Sequence, residues 1–263
     1  MFKRELKVNL KNFIIWTGIL LILFAAVFLM YPSLISSGQM DELDDMMEMF
    51  PPELLKSFNM DISGISTPFG WIKTEGFVFV LLITGVYSSI LGSNILLKEE
   101  SDKTIEYLNC VPVTRKQIVA DKVLVSVIYI VAMVLILGVF NCVLLSGDDD
   151  FDKKQFWLLS ITPIFSSLTL FSISLLISTF THKTKKVFGV SLGLVFVSYF
   201  LNTISELSDK VEFLKYLSAF SLADIRNVIT DRRINPVMIL VTAVLFTIFT
   251  VIAVIHYDRK ELV

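Results

Sequence analysis

Charged residues and cysteines are both scarce in this sequence, and their scarcity narrows the class of protein. Charged residues make up 18% of the chain, whereas an ordinary soluble domain carries about 25%. Hydrophobic residues reach 54%, and the mean hydropathy is +0.73. The two cysteines, Cys110 and Cys142, are too few for a disulfide framework. An ordinary soluble domain is therefore excluded.

Two kinds of binding motif are also missing. The sequence contains no G-x-x-x-x-G-K-[ST] phosphate loop, so this chain lacks the usual means of holding ATP phosphates. Acidic residues cluster at 41–48, but they lack the alternating oxygen ligands and the central glycine of a calcium-binding loop. We therefore expect no cofactor, no metal site, no catalytic residue and no nucleic-acid partner for this chain.

Hydrophobic residues are gathered in six runs, each long enough to cross a bilayer, which takes about 20 mostly apolar residues. No run contains Asp, Glu, Lys or Arg, and this argues against a proton-coupled transporter, whose relays need ionisable groups inside the membrane. The runs are residues 13–31, 77–97, 123–145, 156–180, 187–204 and 237–255. The predicted fold class is an all-α polytopic membrane protein with six transmembrane helices in a single domain, residues 1–263.

Lysine and arginine predict the orientation, because cytoplasmic flanks carry them in excess. The N-terminus, the second and fourth loops and the C-terminus together hold 14 of them, against nine in the other three loops. Both termini of this multi-pass protein are therefore predicted to be cytoplasmic. The fifth loop is the exception, since it places five basic residues on the outer side.

The first 12 residues predict a short helix that lies at the cytoplasmic surface of the membrane. Phe2, Leu6 and Leu10 recur every four residues and would share one face. Four basic side chains surround that face and would attract anionic membrane lipid. They are Lys3, Arg4, Lys7 and Lys11. The alternative is an ordinary basic flank with no defined helix.

The most charged stretch, residues 97–122, lies between two predicted spans. Acidic and basic residues at helical spacing extend the second span as a helix. Pro112 ends this helix, because the residue before a proline is pushed out of α geometry. Thr114, with Gln117 three residues later, forms a capping box that begins a new helix. The prediction is a helix, a turn and a helix that together form a docking element for another protein; a solvated charged hairpin is the alternative.

Small residues recur on three predicted spans. Gly85, Ser89 and Ser93 are spaced four apart on the second span, which permits close helix packing in lipid. Gly189 and Gly193 give the fifth span a similar face. On the fourth span, the hydroxyl groups that would either pack or border a polar pathway are Ser167, Ser174 and Ser178.

Residues 189–193 also fit G-x-S-x-G, which marks a nucleophilic serine when it stands on a strand-to-helix turn. Ser191 instead lies inside a predicted membrane helix, where packing explains both glycines. His182 and His256 fall at the cytoplasmic ends of spans, so a serine–histidine pair stays open. An intramembrane serine protease is therefore one alternative function, and a membrane scaffold without transport is another.

The charged stretch resembles the signature of ABC-2-type permeases, the membrane subunits of one class of ATP-binding cassette transporters. The matching residues are Glu99, Glu100, Thr104, Ile105, Glu106, Leu108, Pro112, Val113, Thr114, Arg115 and Lys122. The chain departs from the family at Asp102 and Lys103, since the family commonly has a glycine next to the threonine. The six spans, the N-terminal helix and the long loop before the last span extend the resemblance over most of the chain.

The resemblance implies that residues 98–116 supply a coupling helix, which fits a groove of a separate ATPase subunit. The candidate coupling residues are Glu99, Glu100, Thr104, Glu106, Leu108, Pro112, Thr114 and Arg115. Two ATPase copies would bind ATP and Mg, and the permease would pair with a second permease subunit, most simply as a homodimer. Short outer helices between the fifth and sixth spans would close the pathway.

We therefore expect a permease subunit of an ATP-driven exporter in a bacterial plasma membrane, and not an enzyme. Export is favoured over import because nothing in the sequence suggests a docking site for an external binding protein. Uncharged spans favour an amphipathic peptide or a lipid-like, hydrophobic substrate, for example an antimicrobial or cytolytic peptide.

Overall fold

The computed structural model describes residues 1–36, 68–72, 76–101, 114–147, 151–181, 184–207 and 209–260. This part of the chain is helical and contains no strands. Six of its helical stretches are long and apolar enough to cross a membrane. The predicted all-α polytopic fold is therefore confirmed.

The helices of the described chain are defined as follows. The α-helices are α1 (Phe2–Ser36), α2 (Pro68–Trp71), α3 (Phe77–Ile95), α4 (Lys98–Ser101), α5 (Arg115–Leu144), α6 (Lys153–Ile161), α7 (Pro163–Thr179), α8 (Thr184–Ser205), α9 (Ile225–Asp231) and α10 (Pro236–Arg259). A short 3-10 turn, Leu145–Gly147, follows α5. Two further 3-10 helices lie between α8 and α9, and we call them the long 3-10 helix, Asp209–Leu217, and the short 3-10 helix, Phe220–Ala223.

Helix α1 is one continuous helix of 35 residues, whereas the sequence predicted a separate surface helix in residues 1–12. No proline or glycine occurs among the first 17 residues, so no helix-breaking residue separates the two parts. At the usual rise per residue, α1 is about 52 Å long, and the hydrocarbon core is about 30 Å thick. Part of α1 therefore extends beyond the apolar layer.

The first turns of α1 pack against α5 through a polar face. Glu5 and Asn9 are buried, whereas Leu10 is 43% exposed. The Tyr129 hydroxyl of α5 donates a hydrogen bond to the Leu6 carbonyl. The ring of Phe13 lies 4.8 Å from the ring of Tyr129, measured between centroids. The start of α1 thus belongs to the helix bundle.

The predicted fourth span is divided into two helices at Pro163. Proline has no amide hydrogen, and its ring excludes the carbonyl four residues earlier, so regular α-helical bonding stops there. Thr162 closes the end of α6, because its amide and its hydroxyl both donate to the Leu159 carbonyl, at 3.0 and 2.8 Å. Helix α7 then continues the crossing from Pro163 to Thr179.

Two helix starts are set by capping side chains. The Thr114 hydroxyl accepts a hydrogen bond from the Gln117 amide at 3.3 Å, so α5 begins earlier than the apolar run that predicted it. This predicted cap is confirmed. The Asn235 side chain accepts from the Val237 amide at 3.0 Å and starts α10 in the same way. Both caps satisfy amides that have no partner inside the first turn of a helix.

Helices α3 and α7 form the centre of the bundle, and α1, α8 and α10 lie at its periphery. Of the most apolar 18 residues in each span, 61% are buried in α3 but 11% in α10. A Cβ atom added to Gly92 of α3 would lie 2.5 Å from the carbonyl oxygen of Phe171 in α7. The two backbones therefore meet directly, and a larger residue at position 92 has no room.

The segment between α8 and α9 folds back along α8. The Ser218 hydroxyl donates to the Ser198 carbonyl, and the Ala219 amide donates to the Ser198 hydroxyl, both at 2.7 Å. Ser198 lies two turns before Ser205, the end of α8, which corresponds to about 10 Å along the helix. The predicted short helices between the fifth and sixth spans are confirmed, and they return into the bundle.

Candidate functional site at the base of the charged loop

Three charged side chains are buried together at the end of the bundle that carries the N-terminus. Lys122 of α5 is 1% exposed, Glu5 of α1 is 2% exposed and Glu99 of α4 is 4% exposed. The Lys122 ammonium donates to Oε1 of Glu99 at 2.6 Å and to Oε2 of Glu5 at 3.5 Å. We call this set the Glu5–Lys122–Glu99 cluster.

Lys122 uses all three of its N–H donors within the cluster. The third N–H donates to the carbonyl oxygen of Ile95, the last residue of α3, at 2.7 Å. A cation is favoured at this position, because the carbonyl end of a helix carries partial negative charge. Lys122 therefore joins α1, α3, α4 and α5 at one point.

The cluster contains two acidic side chains and one basic side chain. Oε2 of Glu99 is buried, and it has no hydrogen-bond partner among the residues that the structure describes. Burying charge is costly unless each charge is paired. Lys122 is thus the residue on which the cluster depends, since it is the cation that both carboxylates contact.

The other stem of the charged loop, where α5 begins, is attached to the C-terminal end of α10. Arg115 Nη1 donates to the carbonyls of Lys260, at 3.0 Å, and Asp258, at 3.4 Å. The Lys260 ammonium in turn donates to the Thr181 carbonyl, just after α7, at 2.9 Å. We call these contacts the Arg115 clamp. Guanidinium at a helix C-terminus satisfies carbonyls that have no partner inside the helix.

A surface ion pair accompanies the Arg115 clamp. Lys116 Nζ lies 3.6 Å from Oδ2 of Asp258, and both side chains are well exposed. An exposed pair of this kind is screened by salt and contributes little to stability. The two stems of the loop are therefore held in different ways, one by a buried charge cluster and the other by partly buried hydrogen bonds with an exposed ion pair.

Three of the predicted coupling residues fall in the described chain with their side chains, and each has a partner inside the protein. Glu99 contacts Lys122, Arg115 holds the end of α10, and Thr114 caps α5. Glu99 is buried, so in this structure its carboxylate offers no surface to a partner protein. The other predictions, which lie outside the residues or side chains that the structure describes, concern Glu100, Thr104, Glu106, Leu108 and Pro112.

The predicted packing residues of α3 lie at contacts with other helices. The Ser89 hydroxyl lies 2.8 Å from the Ser174 hydroxyl of α7 and donates to the Ser191 carbonyl of α8 at 3.4 Å. A Cβ atom added to Gly85 would lie 2.9 Å from the ring of Phe220 in the short 3-10 helix. Ser93 is buried and bonds to its own helix, at the Ile90 carbonyl. Hydrogen bonds of the Ser89 hydroxyl thus link α3 to α7 and α8, and the absence of a side chain at Gly85 leaves room for Phe220.

The candidate pathway residues of α7 are all fully buried between helices of this chain. Ser174 contacts Ser89, and Ser178 donates to the Leu175 carbonyl at 2.6 Å. The Ser167 hydroxyl has no hydrogen-bond partner within the described residues. In this structure these serines occupy packing positions, and their contribution to a pathway stays a prediction.

The two glycines of α8 behave differently from those of α3. Gly189 and Gly193 are exposed, and a Cβ atom added to either would meet nothing within 4 Å. If these glycines pack against another helix, as predicted, that helix lies outside the described part of this chain. Ser191 between them is fully buried, and its hydroxyl bonds to no described residue, so no described base activates it as a nucleophile.

The sequence analysis missed Glu5 and Lys122 as partners of Glu99, and it missed Gly92. Glu5 is the acidic residue within an otherwise basic N-terminal segment, and that contrast is a signal for an internal ion pair. Lys122 directly precedes a predicted span, where a lysine is usually interpreted as a solvated flank. Gly92 had no signal apart from its place in a helix that is rich in small residues.

The fold and the site together define a multi-pass α-helical membrane protein with a charged loop attached to the bundle at both stems. A family model described as ABC-2 family transporter protein matches residues 1–262. The chain therefore belongs to the ABC-2 transporter family, and it is a membrane permease subunit of an ABC transporter. Permeases of this family normally work with an ATP-binding subunit. No curated protein matches the chain significantly.

Proposed function

We propose that this permease is the membrane subunit of an ATP-driven exporter and receives its energy through residues 98–116. The observation that carries the proposal is the double attachment of this loop. Its first stem reaches α1, α3 and α5 through Lys122, and its second stem reaches α10 through Arg115. A force applied to the loop by a partner would therefore reach four membrane helices.

The energy source in this proposal is a separate ATPase subunit. The sequence has no phosphate loop, and the family normally works with an ATP-binding subunit. Two ATPase copies would hold ATP and Mg at their own sites and bind below a pair of permeases, most simply a homodimer. Glu100, Thr104, Glu106 and Leu108 are the residues that we assign to contact the ATPase, since Glu99 and Arg115 have partners inside the chain.

Orientation and location follow from charge. The Glu5–Lys122–Glu99 cluster and the Arg115 clamp lie at the end of the bundle whose flanks hold most of the lysine and arginine. Because cytoplasmic flanks are rich in these residues, we place this end and both termini in the cytoplasm of a bacterial cell, with the bundle in the plasma membrane. The exposed lysines of the first turns of α1 would contact anionic lipid there.

The direction and the substrate are proposed from the character of the spans. The six apolar runs contain no Asp, Glu, Lys or Arg. Uncharged spans suit an amphipathic or lipid-like substrate rather than a small ion. We propose export of such a substrate, with an antimicrobial or cytolytic peptide as the first class to assay.

The first experiment tests the partner. The tagged permease is extracted from its native membrane in a mild detergent, and co-purifying proteins are identified by mass spectrometry. We expect a protein with an ATP-binding cassette and a phosphate loop at a stoichiometry near one per permease. Recovery of the permease without any such protein from several mild extractions would contradict the proposal.

The second experiment tests the docking site. The double variant Glu100→Lys/Glu106→Lys should abolish the stimulation of ATPase activity by the permease and leave membrane insertion intact. The matched control reverses two charges at the opposite end of the bundle, Lys153→Glu/Lys154→Glu, where both residues are exposed. The control should keep normal stimulation. If the docking variant also keeps it, the assignment of residues 98–116 is wrong.

A further inference from the structure

The long 3-10 helix is unusual in its length. It contains nine residues, whereas runs beyond three or four residues are uncommon. A 3-10 helix has three residues per turn, so side chains three apart stand on one edge. Val211 and Leu214 form one edge, which is partly buried, and Lys210, Phe213 and Tyr216 form a second edge, which is exposed.

The exposed edge carries two aromatic rings whose surfaces are largely open. Phe213 is 60% exposed and Tyr216 is 81% exposed, and Leu217 beside them is 68% exposed. Two aromatic side chains left open on one edge are costly in water, at about 25 cal/mol for each Å² of apolar surface. A contact that removes this edge from water would therefore be favourable.

The edge lies beside the last turns of a membrane span. The long 3-10 helix starts just beyond the end of α8 and runs back until Ser218 bonds to Ser198, about 10 Å inside that end. The exposed side chains over the last turns of α8 are also apolar: Phe200 is 59% exposed and Ile204 is 40% exposed. The aromatic edge thus lies at the same depth as apolar side chains that α8 exposes.

The charged neighbours of the edge match the boundary between lipid headgroups and acyl chains. The Lys215 ammonium lies 5.3 Å from the centre of the Tyr216 ring and is paired with Glu212. This hydrogen bond lowers the pKa of Glu212 below its usual value, so the pair stays charged at neutral pH. Tyrosine and lysine are enriched at this boundary because each joins an apolar body to a polar tip.

We propose that the edge of Lys210, Phe213 and Tyr216 is a lipid-contact surface. Phe213 and Tyr216 insert between the acyl chains and the headgroups of the leaflet at the C-terminal end of α8, and the charges of Lys210 and Lys215 stay at headgroup level. The short 3-10 helix that follows directly holds Phe220 against Gly85 of α3. The bilayer thereby holds in place the segment that packs into the centre of the bundle.

The test measures the surroundings of single spin labels in the full-length protein in lipid nanodiscs. Cys110 and Cys142 are first replaced by serine and alanine, and a nitroxide is attached at Phe213→Cys or at Tyr216→Cys. We expect high accessibility to oxygen, which concentrates in lipid, and low accessibility to a water-soluble nickel chelate at both positions. The matched control is Glu212→Cys on the third edge of the same helix, where the nickel chelate should have the greater effect.

Two outcomes would overturn the lipid assignment. High accessibility to the nickel chelate at Phe213→Cys and Tyr216→Cys would show that the edge faces an aqueous path. Low accessibility to both reagents, with spin–spin broadening between labelled chains, would show that a second copy covers it. Both labelled side chains are largely exposed, so neither substitution removes a buried core side chain.

Discussion

The two stems of the charged loop are attached to the same end of the bundle by opposite physical means. At the first stem, Lys122 and its two carboxylate partners are almost completely buried. At the second stem, Arg115 binds carbonyl oxygens at the end of α10, and the accompanying Lys116–Asp258 pair is exposed. The second stem is partly open to water and salt, whereas the first is enclosed. We infer that the first stem is a fixed joint and that the second can be released at low cost.

This difference has a consequence for the proposed transport cycle. Helices α1, α3 and α5 meet at Lys122 and would move together when the loop moves. Helix α10 is linked by partly buried hydrogen bonds and an exposed ion pair, so we expect it to separate from the loop more easily than the other three helices. Four predictions test the contrast between the buried cluster and the exposed clamp.

The largest effect is expected for Lys122→Met. This variant leaves Glu5 and Glu99 buried without their cation, and breaking a buried pair in this way costs about 3–5 kcal/mol. Thermal unfolding in detergent, followed by size-exclusion fluorescence, should show a marked loss of folded protein. The triple variant Glu5→Gln/Glu99→Gln/Lys122→Met should recover most of the loss, because it removes all three charges. Wild-type stability for Lys122→Met would show that the cluster is not a structural joint.

A smaller loss of unfolding free energy is expected when only one of the two carboxylates is neutralised. Glu99→Gln removes the closer partner of Lys122, at 2.6 Å, and should cost about 1.5–3 kcal/mol, the range for hydrogen bonds to charged groups. Glu5→Gln should cost less, because its oxygen lies 3.5 Å from the ammonium and Lys122 keeps Glu99. The two variants are compared in the same unfolding assay. The reverse order would mean that α1, rather than α4, is the main partner of Lys122.

Arg115→Ala should have a modest effect, about 1 kcal/mol, because its contacts are hydrogen bonds close to water. The effect on hydrogen exchange at the end of α10 should be clearer than the effect on the stability of the whole protein. Hydrogen exchange of the last turn of α10, followed by mass spectrometry, should become faster, while exchange near Lys122 stays unchanged. Unchanged exchange in α10 would show that Arg115 does not hold this helix end.

The smallest effect is expected from salt and from the exposed pair. Lys116→Ala should change stability by less than about 1 kcal/mol. Raising the salt concentration to about 1 M shortens the Debye length to about 3 Å, so it should speed exchange at the end of α10 in the wild-type protein. The same salt concentration should leave the difference in stability between wild type and Lys122→Met nearly unchanged. A large salt effect on that difference would contradict the burial of the cluster.

The sequence was sufficient for those features that depend on local pattern. Apolar runs predicted all six spans, and Thr114 with Gln117 predicted the start of α5. The observed start of a helix differs from the predicted start where a capping residue extends the helix, as Asn235 does for α10. Pro163 was visible in the sequence, but whether a proline bends or divides a span depends on the bonds that the residue before it can make.

The candidate site was harder to predict because its partners are distant in sequence. Glu5 is 117 residues from Lys122, and no periodic pattern connects them. Glu99 and Arg115 look like surface charges when only their neighbours in sequence are considered, and packing of α1 and α10 decides otherwise. Gly92 likewise shows its importance only once α7 lies against it.

Lys122 also constrains the order in which the protein can be assembled. A ribosome makes Glu5 and Glu99 before Lys122, so the two acids exist for a time without the cation that pairs them. A nascent chain that holds only its first two spans therefore lacks the ammonium that pairs these acids in the folded protein. Insertion of the third span brings the ammonium and completes the joint. The buried pairing of Glu5 and Glu99 is therefore complete only when the third span is in place.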